Sequence, residues 1–101
     1  MTKNEKREHG DVLYEAILTL KDLDECKKFF SDLCTVAELR AMEQRFEVAM
    51  LLSDGMIYND ILERTGASSA TISRVNRCLH YGADGYRTIL PRLKEQRDEQ
   101  L

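Results

Sequence analysis

Gly66 is the residue that most constrains how this chain folds. It separates two short segments of helical periodicity within NDILERTGASSATISRVNR, residues 59–77. Ahead of it, Ile61, Leu62 and Thr65 fall on one face of a helix. A chain leaving that helix favours the left-handed region, which glycine enters without a Cβ clash. Ser68 is then placed to cap a second helix, accepting from the backbone N–H of Ala70 or Thr71. Ile72, Val75 and Leu79 continue an inward stripe, which leaves Ser69, Ala70, Ser73, Arg74 and Arg77 outward. This is the layout of a helix-turn-helix, whose second helix can enter the major groove of DNA.

The outward residues suit that task. Small side chains let a backbone approach base edges, hydroxyls donate or accept, and arginine addresses guanine or phosphate. An idle solvated helix carries Glu, Lys and Gln more often, yet no carboxylate occurs from Ser68 to Arg77. With Asn59, Ser68 and Thr71, these residues make up the expected DNA-binding set, read through helix 69–79. The same helix–glycine–helix pattern serves proteins that never touch DNA. A helical dimerisation or protein-interaction module is therefore the alternative.

The net charge of −3 looks unfavourable for a nucleic-acid binder, but its distribution does not. Between Arg64 and Lys94 stand five arginines and one lysine against the single acid Asp84, a local balance of +5 that leaves −8 elsewhere. Such a dipolar layout can present a cationic face while the remainder stays solvated.

The expected architecture is all-α, about six short helices in one domain spanning residues 1–101. Residues 1–10 form a flexible arm, 11–55 the N-terminal helices and dimer core, 58–79 the helix-turn-helix and 85–99 a C-terminal helix. A first helix of about Asp11 to Leu20 carries Val12, Leu13, Ala16, Ile17 and Leu20. Asp22 with Glu25, and Thr35 with Glu38, are capping-box patterns that open the next two. The second has Leu23, Cys26, Phe30 and Leu33 on one face, widened by Phe29; the third has Leu39, Met42, Phe46 and Ala49. Its end, VAMLL, is apolar all round and should be buried on several sides. Gly55 stops it, and Asp84 can cap the last helix, where Pro91 predicts a kink or a junction of two segments. The apolar surface on the first three helices exceeds what one copy can cover, so a homodimer through them is expected. Its two-fold would present two reading helices one DNA turn apart.

Other chemistry finds little support. Cys26, Cys34, Cys78, His9 and His80 lack metal-ligand spacing, and no metal or cofactor is expected. Cys78 and His80, two apart on a helix, cannot share a proton, and no phosphate-binding glycine loop is present, so no enzyme is expected. No apolar run approaches the ~20 residues that span a membrane. MTKNEKREHG has no apolar core of a signal peptide, and three scattered cysteines suit reduced thiols, so a cytoplasmic protein without membrane contact is expected.

Three segments in order, LCTVAELRAMEQRFEVAMLLSDGMIYNDIL, RTGASSATISRVNRCL and YGADGYRTIL, resemble the tryptophan repressor superfamily. The whole chain resembles its YerC/YecD-type, Trp-repressor-related branch. The resemblance implies an intertwined, all-helical homodimer whose helix-turn-helix reads a double-stranded operator as a transcriptional regulator, most simply a repressor. It also implies an effector site. By position, Thr35 matches the ligand-site threonine, and Arg45 and Arg74 the two arginines that stack on tryptophan. Val75 stands where the repressor has a glycine that lets the indole lie against the backbone, and Cys78 replaces a serine that holds the ligand's amino group. The chain is also one residue shorter near Met56 and Ile57. These departures imply regulation without tryptophan, with Arg45 free to pair instead with Glu43, Glu47 or a partner's acid.

Overall fold

The computed structural model describes residues 10–99, so the expected arm over residues 1–10 lies outside the described residues apart from Gly10. Six α-helices follow in order: α1 Asp11–Ile17, α2 Leu23–Leu33, α3 Val36–Ser53, α4 Tyr58–Thr65, α5 Ser69–Tyr81 and α6 Gly85–Glu99. No strand occurs among the described residues. The chain divides into two compact units that part between Leu39 and Arg40, inside α3.

In the first unit the helix boundaries follow local chemistry. α1 ends at Ile17, short of the expected Leu20. Its last turn tightens as Thr19 and Leu20 donate to Ala16 and Ile17, and the Thr19 hydroxyl also takes the Ala16 carbonyl at 2.7 Å. A threonine that bonds its own backbone competes with helix continuation. Asp22 caps α2 by accepting from the Glu25 N–H at 2.8 Å, while Glu25 accepts from Lys21 at 3.0 Å. Thr35 and Glu38 form a reciprocal box at the start of α3: the Glu38 N–H reaches the Thr35 hydroxyl at 3.1 Å, and the Thr35 N–H reaches Glu38 at 2.8 Å. No side chain of α1 or α2 is buried. Leu18 is 84% exposed, Leu23 and Val36 70% each.

The second unit holds the core. Val48, Ala49 and Leu51 from the apolar end of α3 meet Ile61 of α4, Ala67 of the turn, Ile72 and Val75 of α5 and Leu90 of α6. Burial of these aliphatics supplies the driving force for docking α4, at eight residues too short to be a stable helix alone. Phe46 and Tyr86 pack beside it with ring centroids 6.3 Å apart. α3 closes as expected at Gly55 (φ +90), with Gly55 donating to Leu52 and Met56 to Leu51, the two bonds of a Schellman motif.

One expectation for α6 changes, and that at Pro91 narrows, since no junction of two segments forms there. Asp84 does not act through a simple side-chain cap: its backbone is left-handed (φ +69) and its carboxylate lies 3.7 Å from Arg87. The helix also continues through Pro91 to Glu99. The proline leaves one carbonyl of the preceding turn without its helical donor, yet Pro91 is exposed, so water can take that place.

Gly66 adopts φ +73, and nothing lies within 4 Å of the point where a Cβ would project, so Gly66→Ala costs backbone strain alone, about 1 kcal/mol. Gly85→Ala, inside α6 with ordinary φ and open space, should instead be neutral or stabilising. Urea midpoints of the two variants check the opposite signs. The Thr35 backbone and hydroxyl bonds hold the Glu38 carboxyl below the ordinary glutamate range. A depressed carboxyl stabilises the fold above its unfolded pKa and loses that contribution as pH falls through the folded value. Carboxyl NMR titration should place Glu38 below the other glutamates, and Thr35→Ala should raise it toward them.

Candidate nucleic-acid interface

Two helices and the turn between them position the candidate reading surface. Thr65 ends α4 with its hydroxyl donating to the Ile61 carbonyl at 2.7 Å and accepting from the Ala67 N–H at 3.1 Å. Gly66 closes the turn, donating to Leu62 at 2.9 Å. Ser68 then caps α5: its hydroxyl accepts from the Thr71 N–H and donates to the Thr71 hydroxyl, both at 3.1 Å. The Ser68 and Thr71 hydroxyls are thus engaged with each other at the helix start, and Thr71 is half-buried. Ser69, Ala70, Ser73, Arg74 and Arg77 are all exposed along α5, and Asn59 is exposed in the first turn of α4.

The electrostatics of this face are uncompensated. Among the described residues no carboxylate lies within ion-pair distance of Arg64, Arg74 or Arg77; the pairs present are Lys28–Asp24 and Arg87–Asp84. An unpaired guanidinium in water keeps its donors for a ligand, and its planar fork fits the paired oxygens of a phosphate or a carboxylate.

The expected effector residues differ in burial and in bonding. Thr35 is exposed, its hydroxyl taken by the cap of α3. Arg45 is half-buried and pairs with neither Glu43 nor Glu47, contrary to that expectation, because residues two apart on a helix point to different sides. Arg74 is exposed, while its neighbour Val75 is 2% exposed, within the core. Cys78, half-buried, lines a shallow apolar recess of about 350 Å³ with Phe46, Gly82, Ala83, Tyr86 and Ile89. Arg45, Arg74 and Val75 do not line it. No cluster of His, Cys, Asp or Glu suited to a metal occurs among the described residues, and no described helix is long and apolar enough to cross a membrane.

Two side chains without a motif of their own in the sequence reach this helix pair. Gln44, on α3, donates to the Thr65 carbonyl at 3.2 Å. Arg87, on α6, donates through Nε to the Leu79 carbonyl and through Nη2 to the His80 carbonyl, each at 2.8 Å. A basic side chain just beyond the break at residues 82–85 is the only sequence signal for the second, since cations are favoured at helix C-termini.

The Trp repressor protein family model matches residues 8–94 of this chain. An uncharacterized protein, YerC, of Bacillus subtilis (strain 168) is 54% identical over 89 residues, covering 88% of this chain and 86% of that protein. A crystal structure of a Staphylococcus aureus protein, described provisionally as a Trp repressor, superposes with a TM-score of 0.83 at 45% identity, over 93% of this chain and 95% of that one. A TrpR-like protein from Eubacterium eligens ATCC 27750 also gives a TM-score of 0.83, at 52% identity, over 91% and 95% of the two chains.

The contrast between neighbouring residues of α5 is testable by stability alone. Val75→Ala should cost about 2 kcal/mol as a core truncation. Ser69→Ala and Ser73→Ala, on the exposed face, should stay within about 0.5 kcal/mol of the parent. Urea unfolding of the three variants measures it.

Proposed function

This chain belongs to the Trp repressor family, and from that premise we propose that it is a DNA-binding transcriptional regulator, most simply a repressor, rather than an enzyme. The observation that carries the reading is the outward face of α5: Ser69, Ala70, Ser73, Arg74 and Arg77 are exposed, and no acid among the described residues pairs with its arginines. In this reading α5 enters the major groove, with Ser69, Ala70 and Ser73 against base edges and Arg74 and Arg77 on guanine or phosphate. Ser68 and Thr71 order the start of the helix, and Asn59 meets the backbone from α4.

The working form is a homodimer. α1 and α2 bury no side chain, and Val12, Tyr14, Leu18, Leu23 and Val36 are each at least 63% exposed. Apolar surface on that scale calls for a partner, and a second copy places two reading helices about 34–36 Å apart, the spacing of successive major-groove faces. The protein acts in the cytoplasm, on duplex DNA, without a metal or cofactor.

Tryptophan does not switch this head. The burial of Val75 supports that reading, because a core valine offers no slot beside the backbone for a flat ring. Engagement of the Thr35 hydroxyl in a helix cap supports it further.

Sedimentation should give the mass of two chains. Binding to duplex DNA should weaken with salt by a slope near −0.9 per phosphate contacted. Arg77→Ala should weaken all sequences alike and lower the slope by about one unit, whereas Ser69 or Ser73 substitution should alter preference by about 1–3 kcal/mol at one position. Calorimetry of wild type with tryptophan should show no heat of binding. A dimer that binds no duplex at low salt would leave the interaction-module reading in its place.

A further inference from the structure

An α-helix end leaves four carbonyls without helical donors. At the end of α5, Gly82 supplies one bond, to the Cys78 carbonyl at 2.9 Å, and Arg87 supplies the next two, to Leu79 and His80. Gly82 approaches so closely that a Cβ there would collide with the Cys78 carbonyl. The opposite end of α5 joins the turn after Thr65, whose carbonyl accepts from Gln44. Both tethers come from outside the helix-turn-helix, one from α3 and one from α6.

Apolar contact holds α5 down through Ile72 and Val75, but that attraction is non-directional and tolerates roll and slide. Hydrogen bonds have a length and an angle to satisfy. A guanidinium spanning two successive carbonyls fixes a rotation as well as a distance, because its donors form a rigid fork. The geometry has leverage. α5 is 13 residues, about 20 Å long, so a tilt of about 10° at one end moves the other by roughly 3 Å. Base readout tolerates about 0.5 Å.

We propose that Gln44 and Arg87 are positioning residues, Arg87 fixing the C-terminal end of α5 and Gln44 the end of α4 from which the turn leads into α5, so that the reading head is set without a bound ligand. This rests on the DNA-reading function above. The Arg87 side chain is 56% exposed, so its fork contributes little to global stability, yet its constraint on orientation remains. Asp84, 3.7 Å from Nη1 in the turn before α6, steers the guanidinium toward α5.

The test uses the full chain as wild type, Arg87→Lys, Arg87→Gln and Gln44→Ala. One duplex is selected by the wild type from a random library; the other is a scramble of it. Lysine keeps the charge and can donate, but its single rotatable ammonium lacks the rigid two-nitrogen fork that fixes a rotation. In Arg87→Lys, thermal unfolding should shift little, while exchange of the Gly82 amide and the last α5 turn should accelerate at least tenfold. Affinity for the selected duplex should fall at least tenfold, with the scrambled duplex and the salt slope within twofold of wild type. Gln44→Ala should show the same split, with faster exchange at the Gly66–Ala67 turn. Wild-type behaviour of Arg87→Lys beside a loss in Arg87→Gln would overturn the proposal, leaving Arg87 as a charge only. Equal losses on both duplexes would overturn it as well. If wild type selects no duplex, the DNA-reading function fails. The exchange rates then decide the clamp alone: acceleration upholds it and unchanged rates sink it.

Discussion

The apolar contact that brings Val48 and Leu51 of α3 onto Ile61, Ile72 and Val75 is the one on which the rest of the second unit depends. α4 has eight residues and α5 thirteen, lengths at which helices in water are marginal without tertiary support. Docking on the end of α3 supplies that support and turns two local helices into a defined angle. The polar surface inherits its geometry from this contact, because Ser73 and Arg74 lie between the buried Ile72 and Val75 and must face away from the core.

That arrangement also explains how one helix serves two environments. Successive residues of an α-helix are about 100° apart, so Arg74 is solvated while Val75 is enclosed. A valine in the core gives α5 a rigid seat, and the same methyl groups fill the space that a glycine would leave beside the backbone. Rigidity of the seat follows from the enclosure of that side chain. The tethers from Gln44 and Arg87 act in the same direction, limiting how far the helix can turn on that seat.

The first unit presents the opposite balance. Its helices are well begun, with side-chain caps at Asp22 and Thr35, yet none of the side chains of α1 and α2 is buried. Local hydrogen bonds decide where such helices start, but they do not cover Leu18, Leu23 or Val36. Apolar area of this kind is stabilised only by removal from water.

Much of the fold was legible because its signals are local. The left-handed Gly55 and Gly66, the Ser68 cap and the Asp22 and Thr35 boxes each involve residues within a few positions of one another, and each formed. The all-apolar end of α3 announced a core, since a helix apolar on every side has to be enclosed. Other features escaped because they need the third dimension. Nothing near Gln44 points to Thr65, 21 residues away, and nothing near Arg87 names the carbonyls of Leu79 and His80 as its partners. The early end of α1, beside the Thr19 back-bond, and the left-handed backbone of Asp84 are likewise features that the helical periodicity does not specify. The sequence by itself determined the helices, their caps and the acid-free face of α5, because periodicity and capping act over one or two turns. Only the tertiary structure decided that Val75 is enclosed while Arg74 stays free, and that α4 is tethered from α3 and α5 from α6, because burial and long-range hydrogen bonds exist only once the helices have packed.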